Sequence, residues 1–120
     1  MNSVFYYVLT ESDLSTAIGR AVYFNASGQL KYSTSTDDAT IGIIVDVNPD
    51  NSTVCVGILR QVLKCRAKDN FSPTPGAQVV LSNLYSVTAG TDLGMLGYAV
   101  SAKDSDGFVQ VSTGYYNRTF

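Results

Sequence analysis

The sequence predicts an all-β fold, a compact small barrel or sandwich built from two similar β units with extended termini. Apolar runs rich in Val and Ile alternate with clusters of turn-forming residues along most of the 120 residues. Only 15% of the residues are charged and Glu11 is the one glutamate, so helices would lack their usual solvent-facing side chains. One arrangement of glycines, valines and turns also occurs twice. Together these observations favour strands over helices throughout the chain.

The longest apolar tract, residues 41–67, is interrupted by a single turn cluster at residues 48–52. Two β-branched runs on either side of such a cluster predict a hairpin, which we expect at the centre of the fold. The side chains expected in one core are Val22, Ile43, Val45, Val54, Val79, Val100 and Val109. We expect Val45→Asp to unfold the domain, because a buried and unpaired carboxylate is costly.

The repeat relates residues 19–57 to residues 76–112. Each copy begins with Gly-x-x-Val, passes through a short hairpin and a polar connector to an apolar strand with a second Gly, and ends in another hairpin. The two glycines are 23 positions apart in the first copy (Gly19, Gly42) and 21 in the second (Gly76, Gly97), so only the connector differs in length. We expect each four-strand unit to cover the apolar face of the other.

The order of these segments predicts three parts of the chain. Residues 1–18 form an N-terminal arm or a first strand, with a helical turn capped by Ser12 between residues 12 and 18. Residues 19–113 form the β domain, and residues 114–120 form an aromatic C-terminal tail. Between the two units, residues 61–68 alternate strictly, which predicts a strand with basic side chains on one face.

Charge and composition exclude several classes of partner. The formal net charge of −2 argues against nucleic-acid binding, since affinity for phosphate depends on an excess of Lys and Arg. No apolar run approaches the roughly 18 residues that predict a membrane span, and the N-terminus lacks the pattern of a signal peptide. We therefore expect no membrane partner and synthesis in the cytoplasm. Cys55 and Cys65, which lie in apolar strands, are expected to be buried, reduced thiols.

The chain offers little catalytic chemistry. It contains no histidine, the commonest general base and metal ligand, and no motif for a nucleophile or for phosphate binding. Asp46, Asn48 and Asp50 imitate the start of a calcium loop. Asn51 stands where that loop needs Gly and Gly57 where it needs a bidentate Glu, so a solvated turn explains the spacing better. The sequence predicts neither an enzyme nor a metal or cofactor site.

Aromatic residues near both chain ends and basic residues between the units are the candidate partner-binding residues. They are Phe5, Tyr6, Tyr7, Lys64, Arg66, Lys68, Tyr115, Tyr116 and Phe120. The aromatic ends either pair into the sheet or anchor a partner. The basic side chains either protect an edge strand from pairing or dock on an acidic surface. If the ends are anchors, removal of residues 1–7 or 115–120 should abolish binding and leave the β domain folded.

Four short segments carry a resemblance to a known family. The opening Gly19-x-x-Val22, the strand Ile41-Gly42-Ile43, the restart Gly76-x-x-Val79 and the strand Leu96-Gly97-Tyr98 occur in an order that resembles the small capsid decoration (cement) proteins of tailed bacteriophages. The resemblance implies a compact β fold, a homotrimer, and a place on the outside of the virion, where the protein contacts the major capsid protein and stabilises the shell. Synthesis would then take place in the host cytoplasm.

The chain departs from this family in its aromatic tail and in residues 12–18, which leaves the mode of attachment open. Two other functions are compatible with the same features. One is another virion part, such as a head–tail joining or tail protein. The other is a carbohydrate-binding β module that uses exposed Tyr side chains as stacking platforms, and it predicts a Tyr in a concave site.

Overall fold

The computed structural model describes residues 3–34, 39–68, 70–81, 88–89 and 95–114. Within these ranges the chain forms ten strands and no helix, and the strands pair antiparallel in two five-stranded sheets. The prediction of an all-β fold is therefore confirmed. The strands are β1 (Val4–Val8), β2 (Ala21–Phe24), β3 (Leu30–Tyr32), β4 (Gly42–Asn48), β5 (Thr53–Ile58), β6 (Val62–Arg66), β7 (Gln78–Val80), β8 (Thr88–Ala89), β9 (Met95–Ala99) and β10 (Phe108–Thr113).

The two sheets have the same topology. Sheet 1 has the strand order β1-β5-β4-β2-β3, and sheet 2 has the order β6-β10-β9-β7-β8. Each strand of sheet 1 thus corresponds to the strand five places later in sheet 2. We call the strands of sheet 1 unit 1 and those of sheet 2 unit 2. The predicted pair of similar units is confirmed, but each unit has five strands, because β1 and β6 belong to the repeat.

Backbone hydrogen bonds repeat in the same way at the ends of the units. Ile58 N donates to Ser3 O at 3.0 Å in unit 1, and Thr113 N donates to Gln61 O at 3.1 Å at the equivalent place in unit 2. Bonds of this kind fix the register of the edge strand against its neighbour. The repeat therefore extends beyond matching strand order to matching strand register.

Gly42 and Gly97 occupy equivalent positions and have the same structural role. A Cβ atom built on Gly42 would collide with the carbonyl oxygen of Gly57 on the neighbouring strand, and one built on Gly97 would collide with the carbonyl oxygen of Ser112. In each sheet the backbones approach too closely there for any side chain. This shared requirement explains why the apolar-Gly pattern appears twice in the sequence.

Sheet 1 curves until its two edges meet. Leu9, just after β1, forms a parallel bridge with Leu30 of β3, and Thr10 N donates to Leu30 O at 2.9 Å. A sheet whose edge strands touch encloses its own core, as in a small barrel. The buried residues of this first core are Leu9, Ala17, Val22, Leu30, Ile44, Val54 and Val56.

A second core lies mainly in unit 2. Its buried residues are Ala21, Ile43, Leu59, Leu63, Cys65, Ala67, Val79, Leu81, Leu96, Ala99, Val109 and Val111. Three of these, Ala21, Ile43 and Leu59, come from unit 1 or from the end of its last strand, so the second core also joins the units. The expected single core is therefore wrong, because each unit encloses a cluster of its own.

Two valines expected in the core are exposed. Register shifts between Ile44 and Asp46 show a β-bulge in β4 at Val45. A bulge adds one residue to a strand and resets which side chains face inwards. Ile43 and Ile44 precede the bulge and point to opposite faces by ordinary alternation, each into a core. Val45 lies on the face of Ile43, beside Gly57, where it is 38% exposed. Val100 follows β9 in a bend and is 46% exposed.

The local predictions differ in outcome. The central hairpin is confirmed as β4 and β5.

The prediction of a helical turn at residues 12–18 is wrong, since that segment forms successive turns. Asp13 organises the first turn in place of Ser12, because its carboxylate accepts hydrogen bonds from the backbone N (2.9 Å) and the hydroxyl (2.7 Å) of Ser15. A carboxylate that bonds so near its own backbone favours a turn over a helix.

The two faces of β4 predict different effects for the same substitution at neighbouring positions. Ile44→Asp should unfold the protein, because a buried, unpaired carboxylate costs several kcal/mol against a total stability of ~5–15 kcal/mol. Val45→Asp should change the free energy of unfolding by about 0.5 kcal/mol or less, as is usual for exposed positions. Urea denaturation followed by circular dichroism measures both. Equal destabilisation by the two variants would contradict the exposed position of Val45.

Candidate interaction surfaces

The N-terminal aromatic residues form a strand. Val4–Val8 pairs with β5 along its whole length, and Phe5 packs against the first core. The Phe5 ring stacks on Phe24 with centroids 6.1 Å apart, and Tyr7 meets the same ring edge-on at 4.9 Å. Removal of residues 1–7 would therefore strip most of a paired strand and part of a core, which argues against the expectation that the β domain stays folded without them.

Tyr6 points to the opposite side of β1. It is 71% exposed, the most exposed of the large apolar and aromatic side chains for which the structure gives burial. Cross-strand pairing places Tyr6 beside Cys55 of β5, and Cys55 beside Asp46 of β4. The three side chains therefore form one row across the outer face of sheet 1, because directly opposed residues share a face.

Tyr6 and Asp46 flank Cys55 in this row. Cys55 is only 7% exposed although it lies on the outer face, so its neighbours in the row cover it. Hydrogen bonding to Cys55, with smaller effects from burial and from the charge of Asp46, raises the pKa of Tyr6 above its ordinary value. Tyr6 therefore lies close to Cys55, while most of its side chain is open to solvent.

A depression of about 270 Å³ surrounds Tyr6. Its lining residues are Tyr6, Asp46, Val47, Asn48, Asn51, Thr53 and Cys55. A second, shallower depression of about 570 Å³ adjoins it and is lined by Val8, Leu9, Thr10, Glu11, Ser12, Lys31, Asn51 and Ser52. The two share Asn51, so they run side by side along the end of β1. We call the pair the Tyr6 groove.

The basic residues between the units lie on one face of β6, as the alternation predicted, and β6 is an edge strand. Lys64 Nζ and the guanidinium carbon of Arg66 lie 4.8 Å and 5.0 Å from the centre of the Phe108 ring, within range of cation–π attraction. Lys68 is exposed, and its carbonyl oxygen accepts a hydrogen bond from Lys103 Nζ at 3.1 Å. This face suits both protection of the edge and attraction of an acidic partner.

Ser3, before β1, and Thr113, at the end of β10, both bond to Gln61. Its side-chain nitrogen donates to Ser3 O at 2.7 Å, next to the start of β1. Its carbonyl oxygen accepts from Thr113 N at 3.1 Å and from the Thr113 hydroxyl at 2.7 Å, at the end of β10. The described chain ends one residue later, at Gly114. The predicted anchor residues Tyr115, Tyr116 and Phe120 lie outside the described residues.

Four exposed aliphatic side chains lie on the strand ends near Gln61. Val4 and Val45 lie beside Gly57 on one face of sheet 1, Ile58 follows Gly57 and so points to the opposite face of β5, and Val62 follows Gln61. All four are exposed by 38% or more. We call Val4, Val45, Ile58 and Val62 the junction patch. Sequence reasoning missed it, because its members come from four strand ends whose meeting no local pattern reveals.

The cysteines are buried and free, as predicted. Burial raises the pKa of Cys65 far above its ordinary value, so its thiol is unreactive. Among the described residues, no group of three or more His, Cys, Asp or Glu side chains is placed to hold a metal ion. The same residues contain no helix long and apolar enough to cross a membrane.

Comparison with known proteins identifies no relative. No protein-family model matches the chain, and a search of curated proteins finds no sequence match. The surfaces just described are therefore interpreted from their own chemistry and from the resemblance in the sequence.

The cover over Cys55 predicts a specific change in thiol reactivity. Tyr6→Ala should accelerate labelling of Cys55 by an aromatic disulfide reagent and leave Cys65 unlabelled, because only Cys55 loses its cover. Mass spectrometry of peptides identifies the labelled thiol. Val8→Ala is the matched control, since Val8 lies on the same face of β1 but pairs with Thr53. If Tyr6→Ala left Cys55 as slow as in the unaltered protein, Tyr6 would not be the cover.

Proposed function

We propose that the protein is a capsid decoration protein, a structural virion component that binds the outer surface of a bacteriophage shell and stabilises it. The partner is the major capsid protein, and the bound form is a homotrimer. The class of partner rests on the resemblance of the four glycine- and valine-containing segments to decoration proteins. The binding role rests on the junction patch.

The junction patch is the observation that carries the proposal. It comprises four exposed aliphatic side chains on the strand ends near Gln61, where Ser3 and Thr113 also lie. Exposed apolar groups that lie close together are typical of protein–protein contacts. The described chain ends at Gly114, next to Thr113, and Tyr115, Tyr116 and Phe120 follow in the sequence. Aromatic side chains are the commonest anchors of such contacts, so we expect the tail and the patch to act on one partner.

A homotrimer would suit a threefold site on an icosahedral shell, since repeated contacts are usually closed by cyclic symmetry. Each copy would need only a modest interface, because linked copies bind with an effective concentration that multiplies weak affinities. The basic face of β6 would contribute mainly to the rate of association with an acidic shell.

The proposal predicts that Val62→Ser weakens binding to bare capsids. Loss of a central apolar contact typically costs ~2 kcal/mol, which corresponds to a dissociation constant about 30-fold higher. Val62 is 55% exposed, so its replacement should leave the fold intact. Val100→Ser is the matched control, because Val100 is similarly exposed but lies outside the patch. Co-sedimentation with purified shells measures binding, and light scattering of the free protein measures its oligomeric state.

The unaltered protein should also raise the temperature at which the shells rupture. If it neither sediments with shells nor protects them from heat, the decoration proposal fails. A tail or head–tail joining role would then be the better explanation. If Val62→Ser and Val100→Ser bind equally well, the protein binds shells through another surface.

Charge reversal tests the basic face separately. Lys64→Glu should slow association with the shell and leave the dissociation rate nearly unchanged. Charges at the rim of an interface mainly change the rate at which the partners first meet. The difference from the unaltered protein should shrink as salt is raised, because salt screens exposed charges. Stopped-flow light scattering at two salt concentrations measures this. A loss of affinity that persists at high salt would place Lys64 inside the contact.

A further inference from the structure

We propose that the Tyr6 groove binds a neutral oligosaccharide, with Tyr6 as the stacking platform and the side chains of the 46–53 hairpin end as hydrogen-bonding partners. This site is distinct from the junction patch and does not depend on the capsid proposal. Four features of the groove support the proposal. They are an exposed aromatic ring, fixed amide and carboxylate groups, an elongated shape, and the negative charge of Asp46.

Tyr6 has the properties of a platform. A pyranose ring has one face made of C–H groups and an edge made of hydroxyls, so it pairs with a flat apolar surface bordered by polar groups. Tyr6 pairs with Cys55 across the strands and is 71% exposed, so its ring is open to a ligand. The ring is large and amphipathic, and its two rotatable side-chain bonds keep the ordering cost low.

The polar groups beside the platform are held in place by the hairpin end. Asn48 Oδ1 accepts from Asp50 N at 3.1 Å, and Asn51 Oδ1 accepts from Thr53 N at 3.1 Å. Each amide oxygen is thus occupied by the backbone, and each amide nitrogen takes no part in these bonds. Both NH₂ groups can therefore donate to sugar hydroxyls without first being ordered, which reduces the entropic cost of binding.

Asp46 supplies a fixed acceptor in the same depression. One of its carboxylate oxygens accepts from Val47 N at 2.9 Å, which orients the other. Hydroxyl groups of a sugar donate well to carboxylates, and such charge-assisted bonds are stronger than neutral ones. Donors from two amides and an acceptor from Asp46 on one side of an aromatic ring match the mixed donors and acceptors of a sugar edge.

The groove is elongated and open, as a chain of sugars requires. The depression around Tyr6 and the one lined by Glu11 and Lys31 share Asn51, so a ligand longer than one ring can lie across both. In the second depression Lys31 Nζ is 3.7 Å from Glu11 Oε1, which pairs its two charged groups. Open, shallow sites of this kind suit extended polymers better than small compact ligands, which need to be enclosed.

Charge selects the class of saccharide. Among the residues that the structure describes, Asp46 is the one charged side chain that lines the depression around Tyr6. A carboxylate or sulfate on the ligand would be repelled there, and the same carboxylate disfavours nucleic acid. A neutral hexopyranose chain meets neither obstacle and uses Asp46 as an acceptor.

Titration calorimetry with defined hexasaccharides tests the proposal on the full-length protein. The neutral probes are maltohexaose, cellohexaose, mannohexaose and chitohexaose, and a heparin hexasaccharide is the anionic control. We expect at least one neutral probe to bind and heparin not to bind. Tyr6→Ala should raise the dissociation constant about tenfold or more, equivalent to ~1.4 kcal/mol, whereas Tyr6→Phe should retain most of the affinity. Tyr7→Ala, from the other face of β1, should leave binding unchanged.

Amide NMR of the unaltered protein provides a test that needs no variant. The bound neutral probe should shift signals of residues 6, 46–55 and 8–12 and leave those of unit 2 in place. If none of the neutral probes binds at millimolar concentration, or if Tyr6→Ala binds as well as the unaltered protein, the proposal is overturned. Loss of capsid binding in Tyr6→Ala without any saccharide binding would assign the groove to the shell contact and would also overturn it.

The two proposals fail independently. Val62→Ser alters the junction patch and should leave saccharide binding unchanged, while Tyr6→Ala should leave sedimentation with shells unchanged. A protein that binds saccharides but not shells would refute the capsid proposal alone.

Discussion

The two faces of β4 are the constraint on which most of the structure depends. Ordinary strand alternation turns Ile44 into the first core and Ile43, its neighbour, into the second. One strand thereby serves two cores, which is how the units are held together. The β-bulge at Val45 then adds one residue, so Asp46 lies on the outer face in line with Cys55 and Tyr6, and Val47 packs against the first core. Core packing is thus set by the alternation before the bulge, and the open row around Tyr6 by the shift after it.

The two units share one topology but have different outer surfaces. Tyr6 and Lys64 are equivalent, since each follows the same register on the edge strand of its sheet. In unit 1 this position covers Cys55, and in unit 2 it reaches the ring of Phe108. Interior positions retain apolar residues because they must fill a core, whereas outer positions are free to change. The two units can therefore present different outer surfaces on the same scaffold.

The repeat was predictable from sequence because close backbone approach at Gly42 and Gly97 demands glycine in both copies. The match between β1 and β6 was missed, since these strands share only alternation and differ in every outward side chain except Val4 and Val62. Val45 was wrongly placed in the core because it shares a face with Ile43, and an apolar run does not show where the covering second core ends. The junction patch and the Tyr6 groove depend on register between distant strands, which a single sequence does not specify.

The position of the two surfaces on β1 bears on how they can work together. Val4, in the junction patch, and Val8, in the Tyr6 groove, are at opposite ends of this strand, about 14 Å apart at the usual rise per residue. A partner that covers the start of β1 and the adjoining chain ends need not cover its other end. Tyr6 lies between Val4 and Val8 on the same face, so a copy docked on a shell through the junction patch would keep accessible the end of the groove that Val8 and Lys31 line. Many docked copies would present many such ends at once. Repetition of that kind strengthens a weak saccharide site without any further contact, because each bound copy raises the effective concentration of the next.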